Sequence, residues 1–272
     1  MRTLREWLSS SPLARVSEKI AQAALPSIRL TAHPAEEIRL RLGSTKFGGL
    51  PDLPFKMSWP ECNGSTLPFV AQINLAEIAP YDVNHLFPDT GILSFFFDQE
   101  AFFESQHHDR TKPWQVLYIS GPSSGLQRLP IPENITKQGR YGPCEVTYAI
   151  EITLPDYSHY DATSLERLNL PDPLTYEEEQ AYYQIQAQLA GSADAPYHLP
   201  RHRLLGHPDD VQWDMYKELG GVATSWQLLF QVDSDGVPDT DWGDTGRIYY
   251  WIRTCNLAER DFSQVQLILQ ST

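Results

Sequence analysis

Five aspartates lie within one short segment near the C-terminal end of the sequence, and carboxylates at this density could bind a divalent cation. The segment DSDGVPDTDWGD, residues 233–244, places aspartate at positions 1, 3, 7, 9 and 12, a spacing that resembles an EF-hand calcium loop. It departs from that loop because Val237 stands at position 5 and the glycine at position 4. We expect a solvated, turn-forming acidic loop, and as the alternative a weak site for a divalent cation such as calcium. The candidate metal ligands are Asp233, Asp235, Asp239, Asp241 and Asp244.

Two glutamines within apolar segments form the second set of candidate functional residues. Gln72 and Gln231 both interrupt runs of hydrophobic residues. A buried amide left without hydrogen-bond partners costs about 1–3 kcal/mol, so each must find partners. One interpretation is structural, with each amide holding a loop or joining two segments of the chain. The other is functional, with both amides facing a ligand in a shared cleft together with Trp242 of the acidic loop.

The sequence lacks the motifs of well-known catalytic and metal sites. His198, His202 and His207 have the composition of a metal site, but Pro200 prevents one helix from aligning them and no HExxH motif is present. There is no GxSxG, Walker, GxGxxG or CxxC motif either. We therefore assign no catalytic residue and no cofactor.

The elements that position these residues belong to an internal duplication of three blocks. The matching pairs are KFGGLPD (46–52) with RLLGHPD (203–209), PFVAQIN (68–74) with QLLFQVD (227–233), and DTGILSFFFD (89–98) with DTGRIYYWIR (244–253). The second pair places Gln72 over Gln231, and the third predicts a positive φ at Gly91 and Gly246. Because the blocks occur only twice, they indicate a duplicated half-domain rather than a solenoid, which needs at least three short units.

The strand pattern predicts a mainly β fold for the whole chain as one domain. We expect a β-rich α+β protein, with roll-like antiparallel sheets built from two duplicated halves at approximately 27–133 and 140–272. Apolar and polar residues alternate at 37–42 and at 144–154, which predicts two strands in equivalent places of the two halves.

Helices are predicted outside the duplicated blocks. Residues 3–24 have apolar positions at helical spacing and indicate a helix or a pair of helices interrupted at Pro12. A helical insertion over residues 175–190 begins with Thr175 and Glu178, which have the spacing of a capping box.

The sequence is acidic, with a formal net charge of −14 and a pI of about 4.9. This charge repels nucleic acid and anionic membrane surfaces, so we expect neither as a partner. Its simplest effect is solubility, and its alternative effect is attraction to a basic protein. No apolar run approaches the roughly 20 residues that cross a bilayer. The charged N-terminal segment is unlike a secretory signal, and three cysteines favour a reducing compartment, so we expect a cytoplasmic protein.

Several motifs resemble the YwqG-like family, a bacterial family largely without assigned function. They are GGLPDLP, a WP dipeptide, PFVAQINL, LFPDTGILSFFFD, LLGHPDDVQ, WQLLFQVDSD, WGDTGRIYYWI and DFSQVQ, which together span roughly residues 40–270. The resemblance implies a mainly β, roll-like fold and carries no catalytic residues. The association of some relatives with toxin genes implies a neutralising or immunity role.

Two functional classes remain open. The first is a non-catalytic binding protein, such as an immunity protein whose acidic surface covers a basic toxin. The second is a metal-assisted or small-ligand enzyme that uses a cleft between the two halves. The lack of a catalytic motif favours the first class, whereas the aspartate-rich loop and the paired glutamines favour the second.

Overall fold

The computed structural model contains one antiparallel sheet of ten strands and two separate two-stranded pairs. The structure describes residues 2–108, 112–121, 125–157, 162–191, 200–220 and 223–272. The strands are β1 Leu25–Pro34, β2 Lys46–Phe47, β3 Asp52–Pro54, β4 Glu61–Cys62, β5 Ser65–Thr66, β6 Phe69–Asn74, β7 Ile92–Phe97, β8 Trp114–Ile119, β9 Leu126–Arg128, β10 Cys144–Thr153, β11 Arg203–Leu204, β12 Trp226–Asp233, β13 Arg247–Arg253 and β14 Gln266–Gln270. The helices are α1 Arg2–Ser9, α2 Ser17–Ala23, α3 Leu75–Ile78, α4 Gln99–His108, α5 Ala162–Leu168, α6 Tyr176–Leu189, α7 Met215–Leu219 and α8 Thr254–Ala258.

The strand order shows how the two halves, β1 to β9 and β10 to β14, are joined. Across the large sheet the order is β14-β13-β12-β11-β1-β10-β2-β6-β7-β8. The first strand of each half lies beside the other half, because β1 pairs with β11 and β10 pairs with β2. At the centre, β1 and β10 pair with each other along their whole lengths. The halves therefore exchange their first strands, and each half completes the sheet of the other.

The prediction of a strand at 37–42 is wrong. The predicted strand at 144–154 is β10, but its counterpart in the first half is β1, and Glu37–Arg39 forms a single 3-10 turn. Ile38, whose apolar character suggested the strand, is 90% exposed. Glu37 instead accepts hydrogen bonds from Lys46 Nζ and from the N–H of Leu50. The conformation of this segment therefore depends on the hydrogen bonds of the Glu37 carboxylate to the following loop, and not on a buried apolar face.

The two central hairpins have the same register, as the matching sequence blocks predict. Gln72 pairs with Ser94 between β6 and β7, and Gln231 pairs with Tyr249, the counterpart of Ser94, between β12 and β13. Each ladder has one irregularity, two residues before the glutamine. The expected positive φ occurs at Gly91, at +111°, but not at Gly246. At Gly246 the constraint is steric, because a Cβ would lie 2.4 Å from the carbonyl oxygen of Trp242.

The largest hydrophobic core takes residues from both halves. The ring of Phe95 in β7 lies 4.8 Å from that of Phe230 in β12 and 5.0 Å from that of Tyr250 in β13. These contacts between distant strands require the sheet to curl. One hydrogen bond joins the two edges of the sheet. Trp114 Nε1 in the edge strand β8 donates to the carbonyl of Val265, the residue before the other edge strand β14, at 2.9 Å. The predicted mainly β, roll-like fold is confirmed.

The predicted helices are present at the periphery. Residues 3–24 form α1, a 3-10 turn at Pro12–Val16 and α2, while the insertion forms α6 with both hydrogen bonds of the capping box between Thr175 and Glu178. These helices pack on one another in a second hydrophobic cluster, which includes Leu154 just after β10 and is contacted by Ile152 of β10. Among the described helices, none has the length and apolar character to span a membrane.

Candidate functional site

The two predicted glutamines occupy equivalent buried hydrogen-bond networks. In the first half, Oε1 of Gln72 accepts the N–H of Asp52 at 2.9 Å, and Nε2 donates to Asp52 Oδ2 at 2.9 Å. In the second half, Gln231 makes the same two bonds with Asp209, at 3.0 and 3.3 Å. Both glutamine side chains are fully buried. Each amide therefore holds the loop that carries its aspartate.

A cation completes each of these networks. Lys46 Nζ lies 3.3 Å from Asp52, and the equivalent Arg203 lies 2.8 Å from Asp209. Burial opposes a charge on Asp209, but the neighbouring charges of Arg203 and Arg247 outweigh it and lower its pKa to about 2. Both networks are internally paired and stabilise the fold. Contact of Gln72 or Gln231 with a ligand stays a prediction.

The acidic loop is divided between buried and exposed aspartates. Asp233 Oδ2 lies 3.0 Å from Arg247 Nε, and Asp235 Oδ2 lies 2.9 Å from His202 Nε2. His202 Nδ1 accepts the N–H of Asp233, which requires Nε2 to carry the proton donated to Asp235. Two of the five candidate carboxylates are thus already paired with cationic or N–H groups of the protein.

The other three aspartates of the loop are exposed to solvent. These are Asp239, Asp241 and Asp244. Asp241 accepts the N–H of Gly243 within a turn. Across the described ranges, no group of three or more His, Cys, Asp or Glu side chains is arranged to hold a metal ion. The structure therefore does not bring the five aspartates together, and weak calcium binding by the loop stays a prediction.

A cleft of about 610 Å³ lies where the acidic loop meets the first half of the molecule. Its walls are β5, the start of α4, residues 134–139 and the acidic loop. Four of the charged side chains in its lining are carboxylates and one is an ammonium group, so the cleft is acidic. The charged lining residues are Asp98, Glu100, Lys137, Asp239 and Asp241.

One aromatic residue, the nearly buried Tyr141, borders this acidic cleft, and we call the part of the cleft beside it the inner end. The ring of Tyr141 packs on that of Trp242 at 5.4 Å. Trp242 is fully buried and also contacts Phe97 at 5.7 Å. Burial, and after it the charge of Asp98, raises the pKa of Tyr141. Trp242, predicted to face a ligand, thus lies behind Tyr141 as its packing support.

Asp98 is positioned by the helix that follows it. Its Oδ1 accepts the N–H of Ala101 at 3.0 Å, in the first turn of α4. A carboxylate at a helix start satisfies a backbone N–H that has no partner within the helix. The side chain is therefore fixed at the edge of the cleft by local structure.

A second cavity, of about 700 Å³, lies at the equivalent place in the second half. Gln227 and Thr254 in its lining correspond to Pro68 and Gln99 in the acidic cleft. Its charged side chains are balanced between acids and bases, namely Glu166, Asp214, Arg167 and Lys217. His207 lines it too, whereas His202 lies with Asp235 and His198 falls outside the described residues.

Beside this second cavity, an arginine and an aspartate form a poorly satisfied pair. Arg167 Nη1 lies 3.4 Å from Asp210 Oδ2, and neither Arg167 Nε nor Asp210 Oδ1 has a hydrogen-bond partner. Burial, and after it the charge of Asp156, raises the pKa of the Asp210 carboxyl to about 8. Asp210 is therefore largely protonated at neutral pH.

The sequence did not identify Asp98, Glu100 or Tyr141 as site residues. Tyr141 belongs to a linker with no motif, and its distance from the acidic loop is set by the curl of the sheet. The sequence did contain one signal at Asp98. The duplication aligns Asp98 with Arg253, so the charge at this position is negative in the first copy and positive in the second.

Comparison with known families gives a match that covers most of the chain. The family model described as a domain of unknown function (DUF1963) matches residues 45–271. The matched range includes both central hairpins, both glutamine networks and the acidic cleft. No curated protein matches the chain.

Proposed function

The chain belongs to the DUF1963 family, and from the cleft we propose that it is a non-catalytic binding protein for a basic protein partner. The single observation that carries the proposal is the set of four carboxylates around the acidic cleft, which Lys137 alone opposes among the described residues of the lining. A cleft lined by one sign of charge concentrates its field and attracts ligands of the opposite sign. The formal charge of −14 acts in the same direction over a longer range.

The chemistry of the lining supports binding rather than catalysis. Among the described residues that form the acidic cleft there is neither a histidine nor a cysteine. Histidine is the side chain that acid–base catalysis uses most often, and cysteine is intrinsically the strongest nucleophile among the common side chains. Carboxylates at a solvent-filled cleft are well suited to hold a lysine or arginine side chain.

The finer identity of the protein is part of the same proposal. The motifs that resemble the YwqG-like family lie within the matched range, which supports the proposal that the chain is a member of that bacterial family. We further propose a cytoplasmic protein that neutralises a basic partner, as an immunity protein does for a toxin. An acidic cleft that covers cationic side chains of a toxin would block them from their own target.

The proposal is tested by calorimetric titration of the full chain with an octalysine peptide. We expect binding at low ionic strength that weakens as salt screens the charges, over a Debye length of about 10 Å at 0.1 M. The double variant Asp239→Asn/Asp241→Asn should bind about tenfold more weakly, since two exposed ion pairs contribute about 0.2–1 kcal/mol each.

Asp244→Asn is the matched control, because Asp244 is exposed in the same loop but does not line the acidic cleft. It removes one charge and should change the affinity by less than about twofold. The proposal fails if the wild-type chain does not bind octalysine at low salt, or if the double variant and the control bind equally well.

A second candidate, a small-ligand enzyme, is favoured by one observation. The raised pKa of Asp210 lies close to neutral pH, as a general acid or base requires, and its partner Arg167 lines the second cavity. Titration of the Asp210 carboxyl by NMR tests this candidate. A midpoint near 4, the ordinary value for aspartate, would remove its support.

A further inference from the structure

The hydroxyl of Tyr141 is a polar group without a partner at the inner end of the acidic cleft. The side chain is only 7% exposed, and its Oη makes no hydrogen bond with any residue in the described part of the chain. Its ring is held in place by the contact with Trp242. The oxygen is not among the side-chain atoms that are shielded from solvent and lack a partner, so it faces the cleft, where a ligand atom can bond to it in place of water.

The surroundings of this hydroxyl determine which ligand atom fits. Asp98 is close enough for its charge to act on Tyr141, and its Oδ1 is used by the N–H of Ala101, which leaves Oδ2 free for a ligand. Asp239 and Asp241 line the cleft at its loop side. A phenol oxygen accepts a hydrogen bond with its lone pairs, and the carboxylates favour a positive charge. An anion would be repelled, and an uncharged group would leave the carboxylates unpaired.

We propose that the inner end of the acidic cleft takes one alkylammonium or guanidinium group, the side chain of a lysine or arginine of the partner, which donates an N–H to Tyr141 Oη while its charge faces Asp98. This inference rests on the proposed function and names the chemical group that the cleft recognises. It differs from attraction between two charged surfaces, because one side chain must enter the cleft and form a defined hydrogen bond.

A nearby tyrosine provides the matched control. Tyr250 Oη is also buried without a hydrogen-bond partner, and the two tyrosines are near enough to affect each other electrostatically. Tyr250 is fully buried and is not part of the lining of the acidic cleft. Tyr141→Phe and Tyr250→Phe therefore remove the same atom from two neighbouring rings, but only the first removes it from the cleft.

The test uses two uncharged host peptides, one with a single lysine and one with norleucine in its place. Binding to the full chain is measured by NMR titration, and stability by urea unfolding. We expect the lysine peptide to bind wild type at least about tenfold more tightly than the norleucine peptide. Tyr141→Phe should weaken lysine binding by about fivefold or more, while Tyr250→Phe should change it by less than twofold.

Both variants should unfold at the same urea concentration as wild type or a higher one, since each loses a hydroxyl that has no partner. Weaker binding together with unchanged or greater stability separates a ligand contact from a structural role. Equal lysine binding by the two variants, or a lower unfolding midpoint for Tyr141→Phe, would overturn the inference. If octalysine still binds through Asp239 and Asp241 in that case, the proposed function stands; if wild type binds neither peptide, both fail.

Discussion

Asp210 shows how burial changes the chemistry of a single carboxyl. Its folded-state pKa of about 8 lies above the ordinary value for aspartate, because burial and the charge of Asp156 disfavour the ionised form more than Arg167 stabilises it. The folded state therefore binds a proton more tightly than the unfolded state does. The resulting stability is fully present below about pH 4 and is lost as the pH rises through about 8.

Replacing this carboxyl by its uncharged counterpart should remove that pH dependence. We expect Asp210→Asn to be more stable than wild type at pH 9 by more than about 1.4 kcal/mol, the free energy of one pKa unit. At pH 4 the advantage should disappear. Urea unfolding at the two pH values measures this. A constant difference between the variant and wild type across the range would show that Asp210 titrates normally.

Gly246 is required by its contacts rather than by its φ angle. A Cβ there would lie 2.4 Å from the carbonyl oxygen of Trp242, which is backbone and cannot move aside cheaply. We expect Gly246→Ala to lower the free energy of unfolding by about 1–3 kcal/mol through overpacking. Gly236→Ala, in the same loop with open space around the new Cβ, should change it by less than about 0.5 kcal/mol. Equal urea midpoints would refute the steric role.

At the level of elements, the paired hairpins were predictable and the exchange of first strands was not. The two strands of each central hairpin follow each other along the chain and belong to matching sequence blocks. The match therefore predicts that the two hairpins share one register. The pairing of β1 with β11 joins segments that are far apart along the chain, and no local pattern specifies it. The 37–42 segment was wrongly predicted as a strand because its apolar and polar residues alternate. In the structure, the segment is held by the hydrogen bonds of Glu37 instead.

The duplication predicts that the two glutamines stabilise the fold to a similar extent. Gln72→Met and Gln231→Met keep the side-chain volume but leave the N–H of Asp52 or Asp209 without its acceptor. Each unsatisfied buried group costs about 1–3 kcal/mol, so we expect losses of this size that agree within about 1 kcal/mol. Chemical denaturation of both variants measures the losses. A large loss in one and none in the other would show that the two networks are not equivalent.

At the level of the whole molecule, the curl of the sheet creates the candidate site. It brings the acidic loop beside α4 and the linker that carries Tyr141, segments from three separate parts of the chain. The sequence predicted the acidic loop and Trp242 as candidates, with a solvated, turn-forming loop as the expectation and weak cation binding as the alternative. The partners of the loop could not be predicted, because they depend on the packing of Phe95 against Phe230 and Tyr250 across the core.

The central claim, that the acidic cleft binds a basic segment, is tested most directly by mapping amide chemical-shift changes while octalysine is added to isotopically labelled protein. The claim predicts that the largest changes fall on the walls of the cleft, at residues 98–100, 134–141 and 239–243. The second cavity, with its balanced charges, should be little affected. Changes centred on that cavity, or spread evenly over all exposed carboxylates, would contradict the claim.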